Sequence, residues 1–190
     1  MKYYSIATGD SSAEISLLEG NSGLKVVYYN QGDAAWKSIP YSTSTIGQSG
    51  CGPTSMAICI STLSGKKITP RQTCQWAGSQ GYYVKGAGSK HDVIPGLAKK
   101  YGVKCKGVGK NKPQIIQALK TGKLVVAIMS AGHFTSGGHF IVLTGIKDGK
   151  ITVADCGSRQ RTKQTWSLDL IVNESNSSAS AGGPFWIISK

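Results

Sequence analysis

The chain has 190 residues, 39% hydrophobic and 16% charged. That balance excludes a disordered tail, a repeat array and a coiled coil, and leaves room for one domain burying roughly 70% of its unfolded surface. Twenty-two Lys and Arg against nine Asp and Glu leave a net charge of +13, a field that draws polyanions without naming one: nucleic acid, anionic lipid and the acidic polymers of a Gram-positive cell wall all fit.

Residues 1–23 read as a polar lead-in, either a linker or a short appended strand pair, with three of the nine acidic side chains, Asp10, Glu14 and Glu19. Residues 24–190 read as the domain proper. The β-branched and aromatic run at 25–31 predicts a strand, and the Gly-, Pro- and Ser-rich segment after it a loop anchored by Trp36. The strongest helix signal covers 51–65, where Pro53 suits a first turn, Met56, Ile60 and Leu63 share a face, and Gly65 stops the helix. Thr69-Pro70 opens a second helix through Gln80, residues 81–90 form a surface loop, a third helix covers 91–101, and Pro113 begins a fourth that ends at Gly122.

The period then changes. KLVVAIMS, GGHFIVLTGI and KITVADCG are strand runs, with KDGK as a hairpin turn between the last two. Residues 173–183 read as a flexible loop and PFWIISK as a terminal strand. Helices first and an antiparallel sheet after them make an α+β fold.

Lysines crowd 99–123: Lys99, Lys100, Lys104, Lys106, Lys110, Lys112, Lys120 and Lys123. Only Tyr101 interleaves them, which disfavours a single-strand nucleic-acid surface, and a solvated face is the plain alternative. GAGSK at 86–90 is too short for a phosphate loop. Five cysteines form an odd set with no CxxC pair, and with three histidines they disfavour a structural zinc site; no cofactor or metal is expected. No stretch approaches the ~20 apolar residues of a membrane span, and the first twenty residues lack a signal-peptide core. The chain reads as soluble, and such a start also suits a piece of a longer, exported parent.

Cys51 lies between two glycines just before Pro53, so its sulfur is expected at a helix N-terminus, where orphan amides and the dipole stabilise a thiolate. An ordinary buried cysteine is the alternative. A thiolate nucleophile needs an imidazole to protonate the leaving amine. His139 follows Gly137-Gly138 and opens an apolar strand; His133 is the rival, and His91 is expected to be exposed. Asp155 ends the next strand and is the candidate to orient the imidazole. A regular two-residue hairpin at Asp148-Gly149 pairs Asp155 with Val142 rather than His139, so this triad demands a bulge or skewed register. Gln31 and Gln48 compete to supply an oxyanion donor.

Taken together, NQGDAAW, GCGPTSMAI, GHFIVLTG and VAD resemble the bacteriocin-leader-peptidase-like (double-glycine peptidase-like) branch of papain-fold cysteine peptidases, from about Val26 to Asp155. The resemblance implies a papain-like fold and assigns Gln31 to the oxyanion hole, Cys51 as nucleophile, His139 as base and Asp155 as its orienting group. Family members often follow that Asp with Pro; here it is Cys156.

The activity expected is a cysteine peptidase acting on bacterial cell-wall peptides, as the peptidoglycan hydrolase domain of a lysin, phage or conjugation protein, secreted or wall-associated, with an anionic wall polymer on its basic surface. The alternatives are a site-specific processing or effector peptidase, for which the resemblance allows a Gly-Gly cleavage site, and a non-catalytic basic binding module on the same fold.

Overall fold

A computed structural model describes residues 16–19 and 23–190, the side chains from 23 onward. The chain opens with β1 (Ser16–Glu19) paired antiparallel to β2 (Lys25–Tyr28). The rest of the lead-in, residues 1–15 and 20–22, lies outside the described residues. The strand predicted at 25–31 stops at Tyr28, and Gln31 sits in the turn beyond it.

Next come the two-residue ladder β3 (Pro40–Tyr41) and β4 (Ser44–Thr45), the single turn α1 (Ile46–Ser49), and α2 (Cys51–Ser64). α2 ends at Gly65 in the left-handed conformation, φ 70°, which only glycine adopts without strain. It is buried almost all round rather than on one face, because the sheet lies on one side and α3 (Pro70–Ser79) and α4 (Val93–Tyr101) on the others. α3 starts where Thr69 and Gln72 close a reciprocal capping box.

The expected loop at 81–90 contains a small ladder, β5 (Tyr83–Val84) with β6 (Gly88–Ser89). Then follow β7 (Lys104–Gly107), α5 (Lys112–Lys120), β8 (Leu124–Met129), β9 (His139–Lys147) and β10 (Lys150–Ala154). α6 (Arg159–Thr162), β11 (Thr165–Trp166), α7 (Leu168–Glu174) and β12 (Phe185–Ser189) complete the chain. The flexible loop read at 173–183 is corrected: Asn173 and Glu174 close α7, and Ser175 is buried and bridges to Met129.

The main sheet runs β11-β10-β9-β8-β12-β7, with every pair antiparallel. Alternate residues of its central strands serve two cores. Leu124, Val126, Ile128, Phe140 and Val142 pack toward α2 and α4, while Val125, Ala127, Met129, Ile141 and Leu143 pack toward α5 and α7. This two-sided burial explains why β8 and β9 read as continuous apolar runs. Among the described residues no helix is long and apolar enough to cross a membrane.

Candidate active site

Cys51 is the first residue of α2, half-buried, directly after Gly50. A Cβ on Gly50 would stand 2.7 Å from the Ile46 carbonyl oxygen, so the tight passage from α1 into α2 admits only glycine. Burial pushes the Cys51 thiol up, but its hydrogen bond to His139, the imidazolium charge and the backbone N–H groups of Phe140 and Gly52 outweigh burial and bring it below the ordinary thiol value. Burial likewise lowers His139, but its hydrogen bonds to Asp155 and Cys51 together with their charges raise it to about 10. Shifts in these opposite directions favour the charged form of each group, a thiolate beside an imidazolium.

His139 is the first residue of β9, and its Nε2 lies 2.7 Å from Asp155 Oδ1. With Nε2 held by the carboxylate, Nδ1 is the ring nitrogen left for the sulfur. The hairpin register explains how Asp155 arrives. Lys150 pairs with Lys147 and Thr152 with Gly145, but Val153 pairs with Leu143, leaving Thr144 as an extra residue. This bulge moves Asp155 from the level of Val142 to that of Ile141, and a one-residue slip turns a side chain to the other face. Asp155 therefore shares the face of His139.

The Asp155 carboxylate has no exposed surface and is fully partnered. Oδ1 also accepts from the Gly157 N–H at 2.8 Å, and Oδ2 accepts from Arg161 Nε at 2.6 Å. Burial raises its proton affinity, but His139 and Arg161 prevail and hold the group below the usual carboxylate range. Gly157 also keeps space for the ring, since a Cβ there would stand 3.0 Å from His139 Cε1 and the ring would have to give by a few tenths of an ångström.

Gln31 is buried beside this cluster. Its backbone N–H donates to the Cys156 carbonyl at 2.8 Å, its Nε2 donates to the Gly47 carbonyl at 2.9 Å, and its Oε1 faces the Cys156 sulfur at 3.4 Å. The amide is thus oriented with oxygen toward Cys156 and nitrogen toward α1. Gln48 is exposed on α1, where its Oε1 accepts from Ser44 at 3.3 Å.

The profile described as the Peptidase_C39 like family matches residues 23–181. The chain belongs to that family. It is a cysteine peptidase with the α+β fold of the C39-like enzymes. Among solved structures, one of a putative C39-like peptidase from Bacillus anthracis is 17% identical, with a TM-score of 0.55 over 94% of this chain and 98% of that one. The peptidase domain of Streptococcus ComA, a bifunctional ABC transporter of a quorum-sensing pathway, is 13% identical, with a TM-score of 0.53 over 74% of this chain and 91% of that one. No curated protein matches the sequence.

In this C39-like chain Cys51 opens onto a cleft of about 480 Å³ whose walls include Gly86, Ala87, Gly88, Gly138 and Phe140, with Gln48 also in the lining. Such walls suit a thin, extended peptide. His91, expected to be exposed, is a half-buried cleft residue whose Nδ1 accepts from the Ser180 N–H at 3.0 Å. Burial lowers its proton affinity. His133 pairs with Glu174 instead of approaching Cys51. Reading the sequence missed Arg161 and Asn176, the latter part of the cleft lining. Arg161 carried a signal, a cation six residues after a strand-end aspartate; Asn176 carried none. No group of His, Cys, Asp and Glu that could hold a metal occurs among the described residues, and all five cysteines are free thiols.

Proposed function

We propose that Cys51, His139, Asp155 and Gln31 carry out peptide hydrolysis in this chain and that its substrates are peptides of the bacterial cell wall. The buried His139 between Cys51 and Asp155 carries the mechanistic part. The Cys51 thiolate attacks the scissile carbonyl carbon, and the oxyanion is received by the Cys51 N–H, an orphan donor at the start of α2, and by Gln31 Nε2, which keeps its 2.9 Å bond to the Gly47 carbonyl and gives up its 3.4 Å contact with the Ile46 carbonyl. His139 gives its Nδ1 proton to the leaving amine, producing a thioester. It then takes a proton from water, the hydroxide attacks the thioester, and the carboxylic product leaves with the thiolate restored. Asp155, itself held by Arg161 and Gly157, fixes the ring throughout.

The net charge of +13 supports the wall as substrate, because peptides borne on an anionic polymer are concentrated around a cationic enzyme. The glycine-walled cleft supports a second reading, cleavage within a specific protein after small residues such as Gly-Gly. Release of new amino groups from purified wall, set against cleavage of Gly-Gly peptides, tests the choice. The wall reading predicts wall digestion that weakens as salt rises and disappears in Cys51→Ala. Peptide cleavage with intact wall would replace it by the second reading.

A further inference from the structure

The charge of this chain is unevenly placed. Between Asp92 and Asp148 the sequence has nine lysines and no acidic residue. The fold gathers several of them at one end of the main sheet. Lys104 opens β7 and pairs with Ser189 of β12, Leu124 of β8 pairs with Ile188, and Lys123 and Lys190 extend those strands at the same end. Adjacent strands lie roughly 4.8 Å apart, so these three lysines stand in a short row across neighbouring strands. Lys147 and Lys150 continue it across β9 and β10, with Asp148 as the acid between them.

The same three lysines line a groove of about 530 Å³ together with Thr62, Thr121 and Ser189. Lys104 and Lys123 are exposed, and no described acidic side chain pairs with either. Leu63 forms part of the groove floor, which puts the groove at the C-terminal end of α2. Cys51 begins that helix, and 14 residues span about 20 Å. The groove is therefore separate from the cleft.

Resting on the wall-peptide reading above, we infer that this groove is an anchoring site for a polyol-phosphate polymer of the cell wall. A row of lysines flanked by hydroxyls matches repeating phosphodiesters linked by hydroxylated carbon chains. The lining has no aromatic side chain, so it offers no platform for stacked bases, and this favours a polyol phosphate over nucleic acid. The +13 field then has a local function: it holds the enzyme on the polymer while the cleft, a helix length away, reaches neighbouring peptides.

Co-sedimentation of the Cys51→Ala protein with purified walls at about 0.15 M salt tests this, using walls that retain their polyol-phosphate chains and the same walls chemically stripped of them. Stripping is expected to weaken binding about tenfold or more, and Lys104→Gln/Lys123→Gln to do the same on intact walls. Lys37→Gln/Lys110→Gln, which removes equal charge away from the row, is expected to stay within about twofold. In the chain that retains Cys51, Lys104→Gln/Lys123→Gln should leave hydrolysis of a short uncharged peptide unchanged. Equal loss in both double variants would replace the groove by diffuse net charge, and tighter binding to single-stranded DNA than to intact wall would overturn the occupant. Absence of wall binding with peptide hydrolysis intact would defeat the anchor and spare the peptidase. Wall binding by a chain that hydrolyses nothing would do the reverse.

Discussion

His139 and His133 lie six residues apart, and each has a carboxylate oxygen at hydrogen-bond distance, Asp155 at 2.7 Å and Glu174 at 2.5 Å. Their surroundings differ. The side chains of His139 and Asp155 are 11% and 0% exposed, those of His133 and Glu174 60% and 18%. In the buried pair the ring meets a thiol, and low dielectric makes each charge depend strongly on the others. The exposed imidazole is screened by water and packs its edge toward Trp166 at 6.2 Å. A histidine–carboxylate contact is thus not a catalytic signature by itself; the role proposed for His139 rests on the third partner and the exclusion of water.

The largest effect expected from that comparison is on turnover. His139→Ala should lower kcat/KM about 10³-fold or more, while His133→Ala should stay within about twofold, measured on any cleaved peptide. A large loss at His133 would break the comparison. The two glutamines offer a smaller contrast of the same kind: Gln31→Ala should cost about 10²-fold, mostly in kcat, and Gln48→Ala only a few-fold. Gly157→Ala should cost about tenfold, because its new methyl meets the His139 ring, and should leave the thermal midpoint little changed. Smallest is Glu174→Gln, which should lower stability in denaturant titration by less than about 1 kcal/mol, since the imidazole it partners is largely exposed.

The helical half was legible because its signals are local. Pro53 and Gly65 bound α2, Thr69-Pro70 opens α3, and Asn111 caps α5 through its side chain and the Gln114 N–H. Cys51 at the start of α2 followed from those signals alone. The approach of Asp155 to His139 did not, because regular hairpin arithmetic sends Asp155 to the other face and the correction rests on one bulged residue, Thr144, whose hydroxyl meets Thr152 at 2.9 Å. β7 was missed because its exposed lysines look like loop, although lysine on an edge strand also guards against unwanted pairing. α7 has only seven residues, too few for a helical period to emerge. Its cap, Ser167 accepting from the Leu170 N–H, was the cue.

The most direct test of the thiolate–imidazolium pair is the pH dependence of Cys51 alkylation by iodoacetamide under reducing conditions. Burial raises the thiols of Cys59, Cys74, Cys105 and Cys156, and among the cysteines Cys51 alone is lowered. The lowered group becomes thiolate as pH rises through a value below the ordinary ~8.5, so labelling should already be rapid at neutral pH. It should vanish in Cys51→Ala, shift to pH 8.5 or above in His139→Ala, where burial acts unopposed by the imidazolium, and stay unchanged in His133→Ala. Labelling of the unaltered chain with an ordinary thiol profile, indifferent to the loss of His139, would contradict the account.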